Sequence, residues 1–513
     1  MADPKFLKYV DDHQNDFIQR LADAVKIPSV SGDISYVKDV EAMADFLMAQ
    51  LAALGVKAPK HAIGSHKLDN KDVDLPPVIL GEIGNDPKKK TLLVYGHYDV
   101  QPALMEDGWI HPPFELTVDP KGTGQLFGRG STDDKGPVMG WLNVLQAHKD
   151  LGLELPVNLK MCFEGMEESG SEGLNTLIEA QKNAFFAGVD CMCISGTYTI
   201  IKTQSSHQSN ALSDNYWLDT KTPCLTYGLR GIAYFDIAVS GPARDLHSGV
   251  FGGTVHEPMT DLITLMSKLV TQAGEILVPG VKEMIAPVTE DERKKFEAIH
   301  FAMADIHEAV GAEIALSDDT VETLMGRMRN PSLSLHGIEG AFSAPGSKTV
   351  IPAKVIGKFS IRLVPNLNVK GVTEKVTEYL TAEFAKLKTK NKLHVAMNHG
   401  GEPWLADPNV VIILYWPESW LTWLNEQHYS YQAAHKATEA VYGQAPDYTR
   451  EGGSIPVTLD FADILGLNIL LLPVGRGNDG AHSTNEKLDT DNYIRGTKLL
   501  GTYMYELAAA EKK

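Results

Sequence analysis

Nowhere in the 513 residues does an uncharged apolar run reach the roughly 18 to 20 residues a membrane-spanning helix requires, so no bilayer span is expected. Cysteine is scarce too. Cys162, Cys191, Cys193 and Cys224 are too few and too irregularly spaced for a disulfide framework. Cys191 and Cys193 lie two apart in an apolar stretch, where a strand places both on one face, and buried free thiols are preferred there over a metal or redox pair. Positive charge is outweighed: 47 Lys and Arg against 66 Asp and Glu leave a formal net charge of −19. Phosphate binding needs clustered Lys and Arg, so nucleic acid is not expected as a partner. The opening MADPKFLKYVDDHQNDF has no basic segment followed by an apolar one, so it does not read as a secretory signal. Together these absences point to a cytoplasmic protein.

What is present can build large cores. A hydrophobic fraction of 43% with 22% charged residues is ordinary for a globular chain, and this length allows roughly two to four domains. The first sixty or so residues read as helix, with Phe17, Leu21, Ala24 and Val25, then Val40, Met43, Ala44, Phe46 and Leu47, at helical spacing. From Pro77 the short apolar runs VILGEI, TLLVYG, VNLKMCFEG and CMCIS alternate with the helical stretches MGWLNVLQAHKDLG and GLNTLIEAQKNAFF. Such alternation predicts an α/β catalytic domain with a mostly parallel sheet flanked by helices. Near Tyr227 the texture changes to GIAYFDIAVSG, HEPMTDLITLMSKLV, KVIGKFSIRLVPN and KGVTEKVTEYLTAEFAKL, the pattern of a small α+β domain. The α/β texture returns with LNILLLPVG and a closing helix TKLLGTYMYELAAAEKK. The expected organisation is therefore residues 1–226 and 391–513 as one split domain, interrupted by an inserted domain over 227–390.

Five segments concentrate metal-ligand residue types, each beside a predicted strand: His97-Tyr98-Asp99, the GRGSTDDKG run with Asp133, Glu167-Glu168, Asp214 in SDNYW, and His482 in NDGAHSTNEK. Any one alone reads as a structural His or a solvated acidic turn. Their recurrence where parallel sheets gather ligands is the stronger signal. Imidazole and carboxylate donors suit zinc or manganese, and a bridging carboxylate holds two ions about 3.5–4 Å apart. Neighbouring Glu167 and Glu168 point in different directions from a strand end, so one can bind metal while the other serves as general base. Asp99 lies two residues beyond His97 and can accept its second imidazole N–H, or act as a turn residue.

These segments, with YGHYDVQPA, EDGW, EGMEESGSEGL, YGLRG, DLHSGVFGG, PSLSLHGIEGAF, KTVIP, KFSIRLVPN and REGGSIPVTL, resemble the M20 family of metallopeptidases. Within it they resemble the cytosolic non-specific dipeptidase, carnosinase-like branch, and the likeness spans nearly the whole chain. The resemblance implies a homodimeric dipeptidase with two divalent metal ions per subunit, held by His97, Asp133, Glu168, Asp214 and His482, with Asp133 bridging. It makes Glu167 the general base and Asp99 its supporting carboxylate. It makes the inserted domain a lid and dimer interface, and sends His247 to the partner subunit's site as an oxyanion donor. Thr349, Arg362, His399 and Ser454 would hold the dipeptide, with Arg362 on the free C-terminal carboxylate. Without the resemblance Arg362 reads as a solvent-facing strand residue. The branch also implies Cys-Gly type substrates and a place in glutathione breakdown.

Two stretches depart from the family pattern, 196–213 (GTYTIIKTQSSHQSNALS) and 410–427 (VVIILYWPESWLTWLNEQ). The second carries three of the seven tryptophans and two charged residues, odd for a surface loop. Both are read as translated intron sequence, with a lid-side loop and a membrane-touching segment as competing readings. The first ends beside Asp214, so reduced activity is expected of a chain that contains it. Aminoacylase or carboxypeptidase chemistry on the same scaffold, and a catalytically impaired binding protein, are the alternative functions. The REGGSIP and SLSLHGIEG segments and the complete ligand set favour the dipeptidase.

Overall fold

The computed structural model describes residues 1–119, 121–196, 216–406, 409–410, 426–453 and 455–511. Asp214, Ser454 and nearly all of the two atypical stretches lie outside the described residues.

The fold is α/β, as expected. The apolar runs become a nine-stranded sheet whose path is Lys60–His61, Val78–Ile83, Asn158–Glu164, Thr91–His97, Cys191–Ile194, Ile469–Leu471, Cys224–Leu229 and Trp404–Leu405, with Asp447–Glu451 also paired to Cys224–Leu229. Its four central strands, Asn158–Glu164 to Ile469–Leu471, run parallel, and Val78–Ile83 and Cys224–Leu229 flank them antiparallel. Covered on both faces, the central strands have no polar side to show, hence the near-continuous apolar sequence of TLLVYGH. The helix Lys135–Leu151 is buried along almost its whole length, against Thr490–Ala509, Gln14–Val25 and Pro4–Asp12. Gly96 explains its close approach: a Cβ there would sit 2.6 Å from Val138 Cγ2 and 2.8 Å from Asp134 Oδ2. Cys162, Cys191, Cys193 and Cys224 are all buried free thiols. Among the described residues no helix is long and apolar enough to cross a membrane.

A second, antiparallel sheet runs Ser332–Glu339, Lys354–Leu363, Gly231–Ser240 and Lys392–Gly401. Phe235, Ile237 and Val239 alternate inward onto the helices Pro258–Met266 and Val369–Leu387, packing with Phe359, Leu262 and Val376. The small sheet thus spans 231–401. Its last strand, Lys392–Gly401, lies just beyond residue 390. That strand is an edge, and KLHVAMNHGG carries polar and glycine residues that weaken its alternation. Residues 290–328 contain helices whose Phe296, Leu324, Met325 and Met328 pack with Trp217, Leu218 and Cys224.

Candidate active site

Three of the four central parallel strands deliver acidic or imidazole groups just beyond their carboxyl ends. His97 is the last residue of Thr91–His97, Glu167 and Glu168 form a one-turn helix after Asn158–Glu164, and His482 sits in the loop after Ile469–Leu471. Asp133 comes from the loop entering Lys135–Leu151. All are buried: His97 and Glu167 at 0% exposure, Asp133 and Glu168 at 2%, His482 at 7%.

Asp133 lies at the middle. Its Oδ1 is 3.1 Å from His97 Nε2 and its Oδ2 is 2.9 Å from His482 Nε2. The same His482 nitrogen is 2.9 Å from Glu168 Oε2. Glu167 Oε2 stands 3.9 Å from His97 Nε2. The other face of His97 is fixed by Asp99, whose carbonyl oxygen is 3.1 Å and whose Oδ1 is 3.3 Å from Nδ1. Asp99 is itself held: Ser31 Oγ donates to its Oδ2 at 2.6 Å and Glu168 N at 3.0 Å. Gln101 Nε2 donates to Glu168 Oε2 at 2.9 Å. Asp134 Oδ2 accepts from the His97 backbone N–H at 3.1 Å.

So many acids in one buried place disturb one another's protons. Burial would lower the His97 imidazole, but Glu167, Asp133 and Asp99 outweigh it and hold it well above its ordinary value. His482 is likewise raised, against its burial, by Glu168 and Asp133. Burial would raise the Asp133 carboxyl, yet the two imidazoles beside it hold it below the carboxylate range. Glu168 is raised, chiefly by burial, and Asp134 is raised well above its ordinary value for the same reason.

The donor set fits a divalent cation. Asp133, Glu168 and His482 each offer one atom, all within 4.8 Å of one another. Asp133 Oδ2 and Glu168 Oε1 are buried oxygens with no hydrogen-bond partner, although a ring nitrogen lies 2.9 Å from Asp133 Oδ2. Lone-pair atoms that converge without hydrogen-bond geometry are arranged as ligands, and a mixed nitrogen and oxygen set suits zinc or manganese.

The substrate-side candidates sit elsewhere. His247 is exposed at the end of a two-residue strand paired with Val350-Ile351, and its Nδ1 accepts from Gly249 N at 3.0 Å. Thr349 is exposed and its carbonyl accepts from Ser248 N at 3.2 Å. Arg362 and His399 stand on the small sheet, on strands that both pair with Gly231–Ser240. Burial and the Arg362 charge together lower His399. Among the described residues no hydrogen bond or ion pair joins these four to the metal-ligand cluster. Two buried groups that the sequence does not single out, Glu486 and Arg129, are joined at 2.8 Å, and Glu486 also accepts from Asp133 N. Their only signal was a charged residue inside each of two motifs that already carried a ligand.

Buried acids and imidazoles gathered beyond the ends of parallel strands form the kind of site at which metal-dependent hydrolases work. The chain belongs to peptidase family M20/M25/M40, whose signature it matches over residues 93–506. It is an enzyme that hydrolyses peptide bonds and binds divalent metal. It is 52% identical over 509 residues to the Cys-Gly metallodipeptidase dug1 of Schizosaccharomyces pombe, covering 99% of each chain. It is 42% identical over 508 residues to the Beta-Ala-His dipeptidase of Homo sapiens, covering 98% of this chain and 92% of that protein. Its fold matches the solved structure of the Saccharomyces cerevisiae di-peptidase Dug1p with a TM-score of 0.85, at 45% identity over 99% of each chain. It matches human carnosine dipeptidase 1 with a TM-score of 0.84, at 41% identity over 98% of each.

Proposed function

We propose that this chain is a dipeptidase carrying two divalent ions, zinc or manganese, and that it cleaves Cys-Gly and similar dipeptides with a free C-terminal carboxylate. The observation that carries the reading is Asp133, which sets one oxygen beside His97 and the other beside His482, as a bridging ligand must. His97 and Asp214 would complete one site with Asp133, and Glu168 and His482 the other. When bound, the ions lower the pKa of a water molecule and polarise the scissile carbonyl.

The chain's own groups do the rest. Glu167, fully buried beside His97, accepts the proton of the attacking water and returns it to the departing amine. Asp99 keeps His97 oriented through Nδ1. Arg362 takes the substrate carboxylate as a planar fork, supported by His399, Thr349 and Ser454. His247, exposed and unattached to its own subunit's cluster, supplies the oxyanion donor to the partner copy of a homodimer. The inserted unit acts as lid and dimer interface, and its closure gates turnover. The buried, unpaired thiols suit a reducing cytoplasm, where Cys-Gly arises from glutathione breakdown.

The test is hydrolysis of a dipeptide panel by metal-stripped protein refilled with zinc or manganese in turn. Metal-restored cleavage of Cys-Gly, with no cleavage of its C-terminal amide, is expected. Metal uptake without hydrolysis would instead mean a binding protein.

A further inference from the structure

We propose that Glu486 is a positioning residue that fastens the loop bearing Asp133 to the loop bearing His482 and so sets the spacing of two metal-binding side chains. The inference rests on the metal-centre reading above.

Glu486 is fully buried, four residues after His482. Each of its carboxylate oxygens receives two donors. Oε1 accepts from Thr132 N at 3.0 Å and Asp133 N at 3.2 Å. Oε2 accepts from Gly130 N at 3.0 Å and Arg129 Nη1 at 2.8 Å. The Glu486 carbonyl also accepts from Gly128 N at 3.0 Å. One residue therefore binds the Gly128–Asp133 segment along its length, including the amide of Asp133 itself. Four donors on two oxygens is the full demand of an ionised carboxylate, and it requires the bare backbone that Gly130 provides. Gly130 has φ +84°, and a Cβ there would lie 2.7 Å from Val100 Cγ1.

Arg129 supplies the return arm. Its Nη2 donates to the His482 carbonyl at 3.3 Å, and its guanidinium carbon lies 5.1 Å from the centre of the Trp109 ring. His482 has φ +60°, a left-handed conformation that a non-glycine residue holds only when its surroundings impose it. The bond from Arg129 falls on that residue's own carbonyl. Ligand to ligand, the path is Asp133 amide, Glu486 carboxylate, Arg129 guanidinium, His482 carbonyl. An amide in place of the carboxylate would turn an NH₂ group toward N–H donors on one side and open the path.

The experiment titrates metal-stripped wild type and Glu486→Gln with zinc and with manganese against a competing chelator, and records Tm with and without metal. A rise of about 10–100-fold in the metal dissociation constant is expected, the usual size of an outer-shell loss. The metal-induced gain in Tm should shrink, while KM for the dipeptide at saturating metal stays put. A filler role would lower the metal-free Tm and leave metal affinity alone, and that result overturns the proposal. Wild-type protein that takes up no metal would overturn the metal-centre reading and this proposal with it. Wild-type uptake with unchanged variant affinity would overturn this proposal alone. If Glu486→Gln does not accumulate folded, Arg129→Lys, which keeps the charge but loses the fork to His482, decides the matter in the same titration. Weakened metal binding supports the clamp, and wild-type affinity refutes it.

Discussion

The large sheet and the loops of the small sheet hold their candidate functional side chains in different ways. At the ends of Thr91–His97, Asn158–Glu164 and Ile469–Leu471 the groups are buried, and nearly every one is braced by another: Asp99 behind His97, Ser31 behind Asp99, Gln101 against Glu168. On the small sheet and its loops, His247 and Thr349 are exposed, bonded locally through Gly249 and Ser248. The difference divides the labour. Chemistry needs groups fixed before substrate arrives, because misplacement of about 1 Å can cost on the order of 10²-fold in rate. Exposed groups such as these suit a role that begins only on closure around substrate, the part the proposed function gives them.

Substitutions can break this comparison at graded strengths. The largest effect short of losing metal should come from Glu167→Gln. It should lower kcat by about 10²–10⁴-fold while metal content and KM stay near wild type. Loss of metal together with activity would make Glu167 a ligand. Next is His247→Ala, expected to cost about 10²–10³-fold in kcat, as for a lost oxyanion donor. Mixing inactive Glu167→Gln with inactive His247→Ala protein should regain activity in heterodimers, because one of their two sites has its own Glu167 and receives an intact His247 from the partner subunit. No regain on mixing would place His247 in its own subunit's chemistry or outside it altogether.

A chain lacking both 196–213 and 410–427 should turn over faster than the full sequence, by up to about 10²-fold, if the first stretch displaces Asp214. Equal turnover and metal content in the two chains, or transcripts that contain both stretches, would make them genuine parts of the enzyme. The smallest effect belongs to Arg362→Met. A drop of about 10–100-fold in kcat/KM, carried mostly by KM, is what a lost charge-assisted pair yields. The variant should no longer distinguish a dipeptide from its C-terminal amide. A variant that still prefers the free acid would move carboxylate recognition to another side chain.

Much of the large-sheet half was legible because its signals are local. TLLVYG leads straight into His97, and Glu167 and Glu168 follow FEGM, so these candidate residues stand directly after apolar strand runs. The parallel centre of the sheet was readable from apolar runs that leave no polar face. Less legible was whatever depends on distant pairing. Glu486 and Arg129 are 357 residues apart, and nothing in either motif shows that one carboxylate gathers Gly130, Thr132 and Asp133. Lys392–Gly401 escaped notice because an edge strand with one open face has only half an alternation to show. Arg362 reads as an ordinary strand residue until the resemblance assigns it a carboxylate.

The claim on which the rest depends is that Asp133 bridges two ions. Metal content per chain, measured by mass spectrometry on wild type and Asp133→Asn after refilling with manganese or zinc, tests it most directly. Two ions per wild-type chain and fewer than one per Asp133→Asn chain are predicted, since one substitution removes a ligand from both sites. One ion per wild-type chain, or a variant that still holds two, would contradict the account.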